Sequence, residues 1–347
     1  MSVEHNDSNS RITVVVPSYN HYEFVGQTLR SIFKQTLAPE ELIVIDDGST
    51  DNSPQVLESV LKECPFPCEL LIRENRGLCR TLNEALDRSK GEYFAYLGSD
   101  DLWLPNFLQR RLELLQGNSA AVLVYGRLFS IDKDNEIIGE AFNFYPFKDL
   151  STRDRLLYGF APSSTAILYR KKYLMKERWN PDIKLEDYDL FLRLCMKGEF
   201  LFDERIDAAW RLHETNTSSN YELMAGEIVA AVERNAPILG LGPDELRSIT
   251  VLRKMGVIDK YLADHKRGQA LQLFMENLSA FPSKIALTKK ALKILTPAPI
   301  TAFRTRQLLN KLLVKTNTFI NDDFEVASIT DEQRLRRPIA RPKRYFG

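Results

Sequence analysis

Four carboxylates near the start of the chain form two neighbouring pairs, and each pair follows a run of apolar residues. They are Asp46 and Asp47, after residues 42–45, and Asp100 and Asp101, after residues 93–97. Each apolar run predicts a strand that is buried on both faces of a parallel sheet. Open α/β sheets bind their ligands at the carboxyl ends of such strands. One pair could therefore bind hydroxyl groups, and the other could bind a hard divalent cation.

Each pair also has a structural explanation. One carboxylate of the first pair could cap a helix that begins near Ser49. In the second pair, Asp101 could cap the short turn before Pro105. Two adjacent carboxylates repel each other unless a cation or hydrogen-bond donors compensate them. The functional interpretation is therefore stronger for Asp100 and Asp101.

Two further segments carry groups that suit a nucleotide. Pro17 stops the first apolar run, and Tyr19 just beyond it could stack on a planar base, with an ordinary strand-to-helix turn as the alternative. Arg76 and Arg80 flank Gly77, where a helix is predicted to begin. Both a helix N-terminus and guanidinium groups favour phosphate, but a solvated helix start would explain the two arginines equally well.

A third acidic segment lies in the second half of the chain. Glu186 and Asp187 stand at the start of a predicted helix, where the helix dipole stabilises negative charge. A carboxylate at this place can be ionised and point into a cleft, or it can only cap the helix. Asp189 and Arg193 follow at a spacing of four residues, in the acid-first order that stabilises an exposed helical pair by about 0.2–0.5 kcal/mol.

Alternating strands and helices are predicted to position these groups. The predicted strands are 12–17, 42–46, 70–72, 93–97 and 121–125, and the predicted helices are 22–35, 53–61, 77–89 and 105–115. This alternation predicts an α/β fold with a parallel sheet and helices on both faces. The pattern then becomes irregular, with short strands predicted at 128–131 and 165–169 and a helix at 185–197.

Size and composition exclude several classes of protein. The 347 residues are 44% hydrophobic and 27% charged, which is typical of a globular protein. The formal net charge is zero, which argues against nucleic acid as a partner. The four cysteines show no metal-ligand spacing and are expected to be free thiols in a reducing cytosol. No secretory signal and no apolar run near ~20 residues is present, so the protein is expected to be soluble or peripheral to a membrane.

Four motifs occur in an order that resembles the family 2 glycosyltransferases of GT-A fold. They are Pro17-Ser18-Tyr19-Asn20, Asp46-Asp47-Gly48-Ser49-Thr50-Asp51, Glu74-Asn75-Arg76-Gly77-Leu78 and Gly98-Ser99-Asp100-Asp101. The resemblance covers roughly residues 11 to 215. It implies a GT-A mixed sheet with helices on both faces and a C-terminal helical extension. It also implies an inverting sugar transfer from a nucleotide sugar to a hydroxyl of a glycan or lipid-linked acceptor, in bacterial surface polysaccharide synthesis.

The resemblance also implies roles for single residues of the donor site. Tyr19 and Asp47 would lie against the nucleobase of a nucleotide sugar, with Asp46 supporting that pocket. Asp100 and Asp101 match the region that holds the ribose and a divalent metal, Mn²⁺ or Mg²⁺. The family usually has another aspartate two positions before Asp100, where this chain has Gly98. The division of metal and ribose contacts between Asp100 and Asp101 therefore stays open.

On the acceptor side, the resemblance assigns the general base to Asp187, with Glu186 as its supporting neighbour. His213 follows at the family's usual distance and is placed at the metal or the diphosphate, with an ordinary structural histidine as the alternative. UDP is the expected nucleotide by family habit, and GDP or dTDP remain open. The donor sugar, the acceptor, the linkage and the oligomeric state cannot be inferred from these residues.

The chain is expected to divide into five segments. They are a disordered N-terminus (1–10), a nucleotide-sugar-binding half (11–125), an acceptor-binding half (126–220), a helical extension (221–321) and a basic, disordered tail (322–347). Within the extension, residues 303–315 form a basic amphipathic stretch. It could lie on an anionic membrane, as expected for a cytoplasmic enzyme peripheral to the inner face of the cell membrane. Packing on the catalytic domain is the alternative.

Two other functions compete with sugar transfer. A non-catalytic nucleotide-sugar-binding or scaffold protein of the same fold would be favoured by Gly98, whereas the intact acidic pairs argue against it. A nucleotidyltransferase would require a glycine-rich, basic loop after the first strand. Residues 21–24 do not provide one.

Overall fold

A computed structural model describes residues 11–141, 149–158, 161–213, 220–263, 265–278, 291, 294, 318–321, 323–324 and 326–328. Most of the first half folds as parallel strands joined by helices. The strands are β1 (Ile12–Ser18), β2 (Glu41–Asp47), β3 (Cys68–Arg73) and β4 (Tyr93–Tyr96). The helices are α1 (Val25–Phe33), α2 (Ser53–Val60) and α3 (Leu78–Arg88). The strand order is β3-β2-β1-β4, so the ends of β2 and β4 flank the end of β1.

The second half extends the same sheet and makes it mixed. Its strands are β5 (Leu102–Trp103), β6 (Ala121–Ile131), β7 (Ile137–Ala141), β8 (Ile167–Arg170) and β9 (Glu199–Arg211). Its helices are α4 (Phe107–Gly117), α5 (Thr152–Tyr158), α6 (Lys171–Glu177) and α7 (Glu186–Leu194). The order continues from β4 as β8-β6-β9-β5, with β7 paired to β6. β8 is antiparallel to β4 and β6, whereas β9 is parallel to β6.

Two apolar cores cover the two faces of the sheet, because neighbouring residues of a strand point to opposite faces. Val14 and Val16 contribute to one core, which α1, α2 and α4 enclose. Val15 contributes to the other core, which α3 and α7 enclose. This arrangement confirms the predicted α/β architecture with helices on both faces. All four cysteines are free thiols, as predicted.

Most predicted elements end within a few residues of the observed bounds, and three differences concern the strands of the sheet. β1 continues one residue past Pro17, which pairs with Ile45 of β2. The backbone N–H that proline lacks would point toward β4, as the N–H of Val15 does. The pairing of β1 with β4 ends at Val15 and Tyr96, so no hydrogen bond of the sheet is lost at Pro17. The two strands predicted at 121–125 and 128–131 are one continuous strand, β6. The long strand β9 was not predicted, because its exposed charged residues interrupt the apolar pattern.

The C-terminal part contains helices and a small hairpin. The helices are α8 (Tyr221–Leu239), α9 (Pro243–Ala263) and α10 (Arg267–Glu276), and the hairpin strands are β10 (Thr318–Ile320) and β11 (Val326–Ser328). The hairpin occupies the boundary where the helical extension was expected to end and a disordered tail to begin, so that expectation is wrong for these strands. Ile320 and Phe324 are buried with Leu102 and Leu104 of the segment that follows Asp101.

Some predicted segments lie outside the described residues. These are residues 1–10, the basic stretch 303–315 and residues 329–347. Within the part of the chain that the structure describes, no helix combines the length and the apolar character that crossing a membrane requires.

Candidate active site

Three potential metal ligands converge where strands end. His21 follows β1, Asp100 follows β4 and His213 follows β9. One nitrogen or oxygen atom from each side chain lies within 4.8 Å of the corresponding atoms of the other two. The sequence predicted Asp100 and His213 for this place but missed His21. Its position just past a strand end was the only signal available.

Electrostatic contacts link the three side chains. Nε2 of His213 lies 2.9 Å from Oδ2 of Asp100, and Nδ1 of His21 lies 3.9 Å from Oδ1 of the same carboxylate. Burial opposes ionisation of Asp100, but the hydrogen bond from His213 and the charges of both histidines outweigh it and lower the pKa of Asp100. Burial lowers the pKa of His21, which favours the neutral imidazole that metals bind.

The composition of this cluster fits a divalent cation. Two imidazoles and one carboxylate form a mixed nitrogen and oxygen donor set, which is softer than the all-oxygen environment that Mg²⁺ prefers. Among the two predicted ions, Mn²⁺ therefore fits His21, Asp100 and His213 better. Phe24 packs against the cluster, with its ring centroid 5.1 Å from that of His213.

Both carboxylate oxygens of Asp101 bind protein groups other than the three ligands. Its Oδ2 accepts a hydrogen bond of 2.6 Å from Oγ1 of Thr165, and its Oδ1 accepts one of 2.9 Å from the backbone N–H of Arg211. Burial and the neighbouring charge of Asp100 raise the pKa of Asp101 well above its usual range. The metal role predicted for Asp101 stays a prediction, and this geometry favours Asp100 and His213 over it.

Gly98 leaves the space that the Asp100 carboxylate uses. A Cβ at position 98 would lie 2.9 Å from Oδ1 of Asp100 and 3.3 Å from Oδ2 of Asp101. Real Cβ atoms essentially never lie 2.9 Å from another heavy atom, so a side chain at position 98 would require the Asp100 carboxylate to move. The observed orientation of the Asp100 carboxylate therefore requires glycine at position 98.

The first acidic pair shapes the loops at the end of β2. Asp46 is fully buried, and its oxygens accept hydrogen bonds from the N–H of Ser49 at 2.9 Å and from its hydroxyl at 2.7 Å. Asp47 accepts from the backbone N–H groups of Arg76 and Gly77, both at 2.8 Å. Asp46 thus holds a turn that ends before α2, so neither carboxylate caps that helix. The predicted nucleotide contacts of both residues remain predictions.

The other predicted nucleotide-site residues surround the same strand ends. Tyr19 stands at the end of β1 with 47% of its surface exposed. The side chains of Arg76 and Arg80 are more than half exposed, and Nη2 of Arg80 lies 3.3 Å from Oδ1 of Asp182. Asn20 accepts a hydrogen bond of 2.8 Å from the N–H of Thr50, which joins the β1 loop to the β2 loop.

The third acidic pair begins α7. Oε1 of Glu186 accepts a hydrogen bond of 3.1 Å from the hydroxyl of Tyr96 on β4. Burial raises the pKa of Glu186, and burial together with the charge of Glu186 raises the pKa of Asp187 well above its usual range. A carboxylate with a raised pKa is a better proton acceptor than an ordinary one.

Asp189 is buried, and the expectation of an exposed helical pair is wrong. Its predicted partner Arg193 lies 3.0 Å away, but Arg234 at 2.6 Å and Asn235 at 2.9 Å also bind this carboxylate. Both additional partners belong to α8, so Asp189 joins the helix of the third acidic pair to the C-terminal helices. These contacts leave no local pattern in the sequence, because 45 residues separate Asp189 from Arg234.

Comparison with known proteins shows which family part of this chain resembles. Residues 13–177 match the family described as Glycosyl transferase family 2. This range includes Tyr19, Asp46, Asp47 and Asp100, but it ends before Asp187 and His213.

Two curated relatives are similar over part of their length. An uncharacterized glycosyltransferase, alr2836, from Nostoc is 30% identical over 171 residues, which are 48% of this chain and 52% of the relative. A putative teichuronic acid biosynthesis glycosyltransferase, TuaG, from Bacillus subtilis is 34% identical over 110 residues, which are 32% of this chain and 44% of the relative. The chain thus spans about half the length of these relatives or less.

A solved structure has the same fold. The mannosyltransferase PcManGT from Pyrobaculum calidifontis, in complex with GDP-Man and Mn²⁺, superposes with a TM-score of 0.55 at 18% identity. The superposition covers 88% of this chain and 81% of the other. The mixed sheet and its helices are therefore of the GT-A type.

Proposed function

We propose that this chain, whose residues 13–177 match Glycosyl transferase family 2, transfers a sugar from a nucleoside diphosphate donor to a hydroxyl group of a glycan or lipid-linked acceptor. The observation that carries the proposal is the convergence of His21, Asp100 and His213 where β1, β4 and β9 end. A charged leaving group such as a diphosphate requires compensation at such a place.

The donor is bound across the ends of β1 and β2. Tyr19 stacks on the nucleobase, while Asp46 and Asp47 keep the flanking loops in the shape that receives it. Arg76 and Arg80 are exposed near the N-terminus of α3 and bind phosphate oxygens. UDP is the nucleotide we favour.

His21, Asp100 and His213 are the residues that hold the metal. When bound, a divalent ion there neutralises the charge that develops on the diphosphate leaving group. Mn²⁺ suits this donor set, and the related fold of PcManGT was solved with Mn²⁺. Asp101 contributes indirectly. Its hydrogen bonds with Thr165 and Arg211 fix the loop in which Asp100 lies.

Asp187 acts as the general base. It removes the proton from the acceptor hydroxyl as that oxygen bonds to the anomeric carbon and the bond from that carbon to the diphosphate oxygen breaks. Attack from the face opposite the leaving group inverts the configuration. Glu186, held by the Tyr96 hydroxyl, keeps Asp187 in a negative environment that strengthens it as a base.

Release of nucleoside diphosphate tests this function. The full chain is incubated with a panel of nucleotide sugars and saccharide acceptors, with Mn²⁺, with Mg²⁺ and with EDTA. We expect acceptor-dependent release with one donor class, supported best by Mn²⁺ and abolished by EDTA. Binding of a nucleotide sugar, seen as a thermal shift, without any transfer would favour the non-catalytic alternative. Full activity in EDTA would reject the role of the metal.

A further inference from the structure

Arg211, the last residue of β9, is completely buried between the segments that carry the three proposed metal ligands. Its backbone N–H donates to Oδ1 of Asp101 at 2.9 Å, and its Nε donates to the backbone carbonyl of Asp100 at 2.7 Å. The loop after β4 is thereby attached to the end of β9, two residues before His213.

The guanidinium of Arg211 also contacts three other residues near the cluster. Its Nη1 donates to Oδ1 of Asn135 at 2.6 Å in the turn between β6 and β7, and its Nη2 donates to Oε1 of Gln27 on α1 at 3.2 Å. Its Cζ lies 4.8 Å from the ring centroid of Phe24, and the Phe24 ring packs against His213. From the end of β9, one side chain therefore contacts both the segment that follows β1 and the loop that follows β4.

A buried guanidinium loses its hydration, and this loss must be offset by well-placed partners. Burial lowers the pKa of Arg211, and the nearby carboxylates act in the opposite direction. Lysine could not replace it, because an ammonium group cannot make the fork of hydrogen bonds that joins Asp100, Asn135 and Gln27. Groups behind metal ligands commonly orient those ligands.

We propose that Arg211 is a positioning residue that sets the separation between Asp100 and His213 and so makes the metal cluster. It does not touch donor or acceptor. The proposal rests on the proposed function only for the identity of the ion. The positions of Asp100, His213 and Arg211 relative to one another do not depend on the proposed function.

The test uses the full chain and two variants. Arg211→Lys keeps the positive charge but removes the fork. Asn135→Gly removes the side chain whose carbonyl Arg211 binds, and glycine tolerates the positive φ of 65° at this position. Arg170→Lys is the matched control, since Arg170 also joins backbone carbonyls, those of Leu115 and Asn118, away from the cluster.

Binding of Mn²⁺ alone is measured by electron paramagnetic resonance of the free ion, without donor. We expect Arg211→Lys to weaken Mn²⁺ binding about 10–100-fold, the range typical of groups behind metal ligands, and Asn135→Gly to weaken it by a smaller factor. Arg170→Lys should leave it unchanged. A crystal structure of metal-free Arg211→Lys should show the 2.9 Å contact between Asp100 and His213 broken.

Two outcomes overturn the proposal. An intact Asp100–His213 contact in folded Arg211→Lys would show that the arginine does not position the ligands, whatever the enzyme's activity. Equal loss of Mn²⁺ binding in Arg170→Lys would reduce the effect to general destabilisation. Failure of the wild-type chain to transfer sugar would instead reject the proposed function, and the metal-free structure would still decide the role of Arg211.

Discussion

His213 and Asp100 are 113 residues apart in the chain, yet Nε2 of the histidine lies 2.9 Å from Oδ2 of the aspartate. The contact joins the end of β9 to the loop after β4. It therefore joins the strands of the first half of the sheet to those of the second half. A site made in this way requires the whole mixed sheet.

The ligand cluster predicts which acidic residue matters for the metal. Asp100→Asn removes a charged oxygen ligand, so Mn²⁺ binding and transfer should both be largely lost. Asp101→Asn is the matched control, because an amide oxygen can still accept from Arg211 or Thr165. It should bind Mn²⁺ more tightly than Asp100→Asn does. Calorimetric Mn²⁺ titration of both variants checks this, and the reverse order would restore Asp101 as the ligand.

The exposed ring of Tyr19 predicts a stacking contribution to donor binding. Tyr19→Ala should raise the dissociation constant of the nucleotide sugar by the equivalent of ~1–3 kcal/mol, if stacking here resembles that on nucleic-acid bases. Tyr22→Ala is the control, since this neighbouring tyrosine is similarly exposed and bonds Glu23. Equal effects of both substitutions on fluorescence-monitored donor binding would place the base elsewhere.

The acidic start of α7 predicts the catalytic base. Asp187→Asn keeps the shape of the side chain but removes the proton acceptor, so transfer should fall by about 10²–10⁴-fold. Donor affinity should stay near that of the wild type. Asp87→Asn, which changes an exposed carboxylate paired with Arg178, should leave transfer unchanged. Wild-type turnover in Asp187→Asn would assign the base to another group.

The raised pKa of Asp187 predicts opposite effects of pH on activity and stability. The base acts when deprotonated, so transfer should increase as pH rises through this raised pKa. In the unfolded chain the pKa is lower, so the folded state binds more protons, and stability must fall as pH rises through the folded pKa. Thermal unfolding of Asp187→Asn should show a weaker decline over the same range. If the stability of the wild type and of Asp187→Asn depended equally on pH, the raised pKa could not belong to Asp187.

The buried carboxylate of Asp189 predicts a large loss of stability. Asp189→Ala leaves Arg193 without its nearest carboxylate, and removing one partner of a buried ion pair typically costs about 3–5 kcal/mol. Arg234 is more exposed than Asp189, so we expect the loss of stability to lie near the lower end of this range. Urea unfolding measures the change. A loss of only ~0.5 kcal/mol would restore the exposed helical pair.

More of the fold than of the candidate site could be predicted from the sequence. Regular alternation of apolar runs located β1 to β4 and their helices, because buried parallel strands are apolar throughout. β9 escaped prediction, since charged residues such as Asp203 are interspersed along it. Asp203 is nevertheless buried, and Arg110 and Arg111 bind it. Such pairing depends on the folded sheet and leaves no local pattern.

Within the site, residue type and order pointed to Asp100 and His213, but spacing could not point to His21. A ligand contributed from a third strand end becomes visible only when the strand order is known. The partners of Asp101 and Asp189 were hidden for the same reason. Both acids lie in acidic motifs that suggest exposure to a ligand, whereas Thr165 and the backbone of Arg211 hold buried Asp101, and Arg234 holds buried Asp189.

The hairpin of β10 and β11 has a consequence for the order in which the molecule is completed during synthesis. A nascent chain that extends only through residue 213 already contains all nine strands of the sheet and all three ligands. It still lacks Ile320 and Phe324, which cover Leu102 and Leu104. Because domains fold from the N-terminal side as the chain emerges, the segment beside Asp101 is enclosed last. This apolar surface therefore stays uncovered on the nascent chain until residue 324 has emerged from the ribosome.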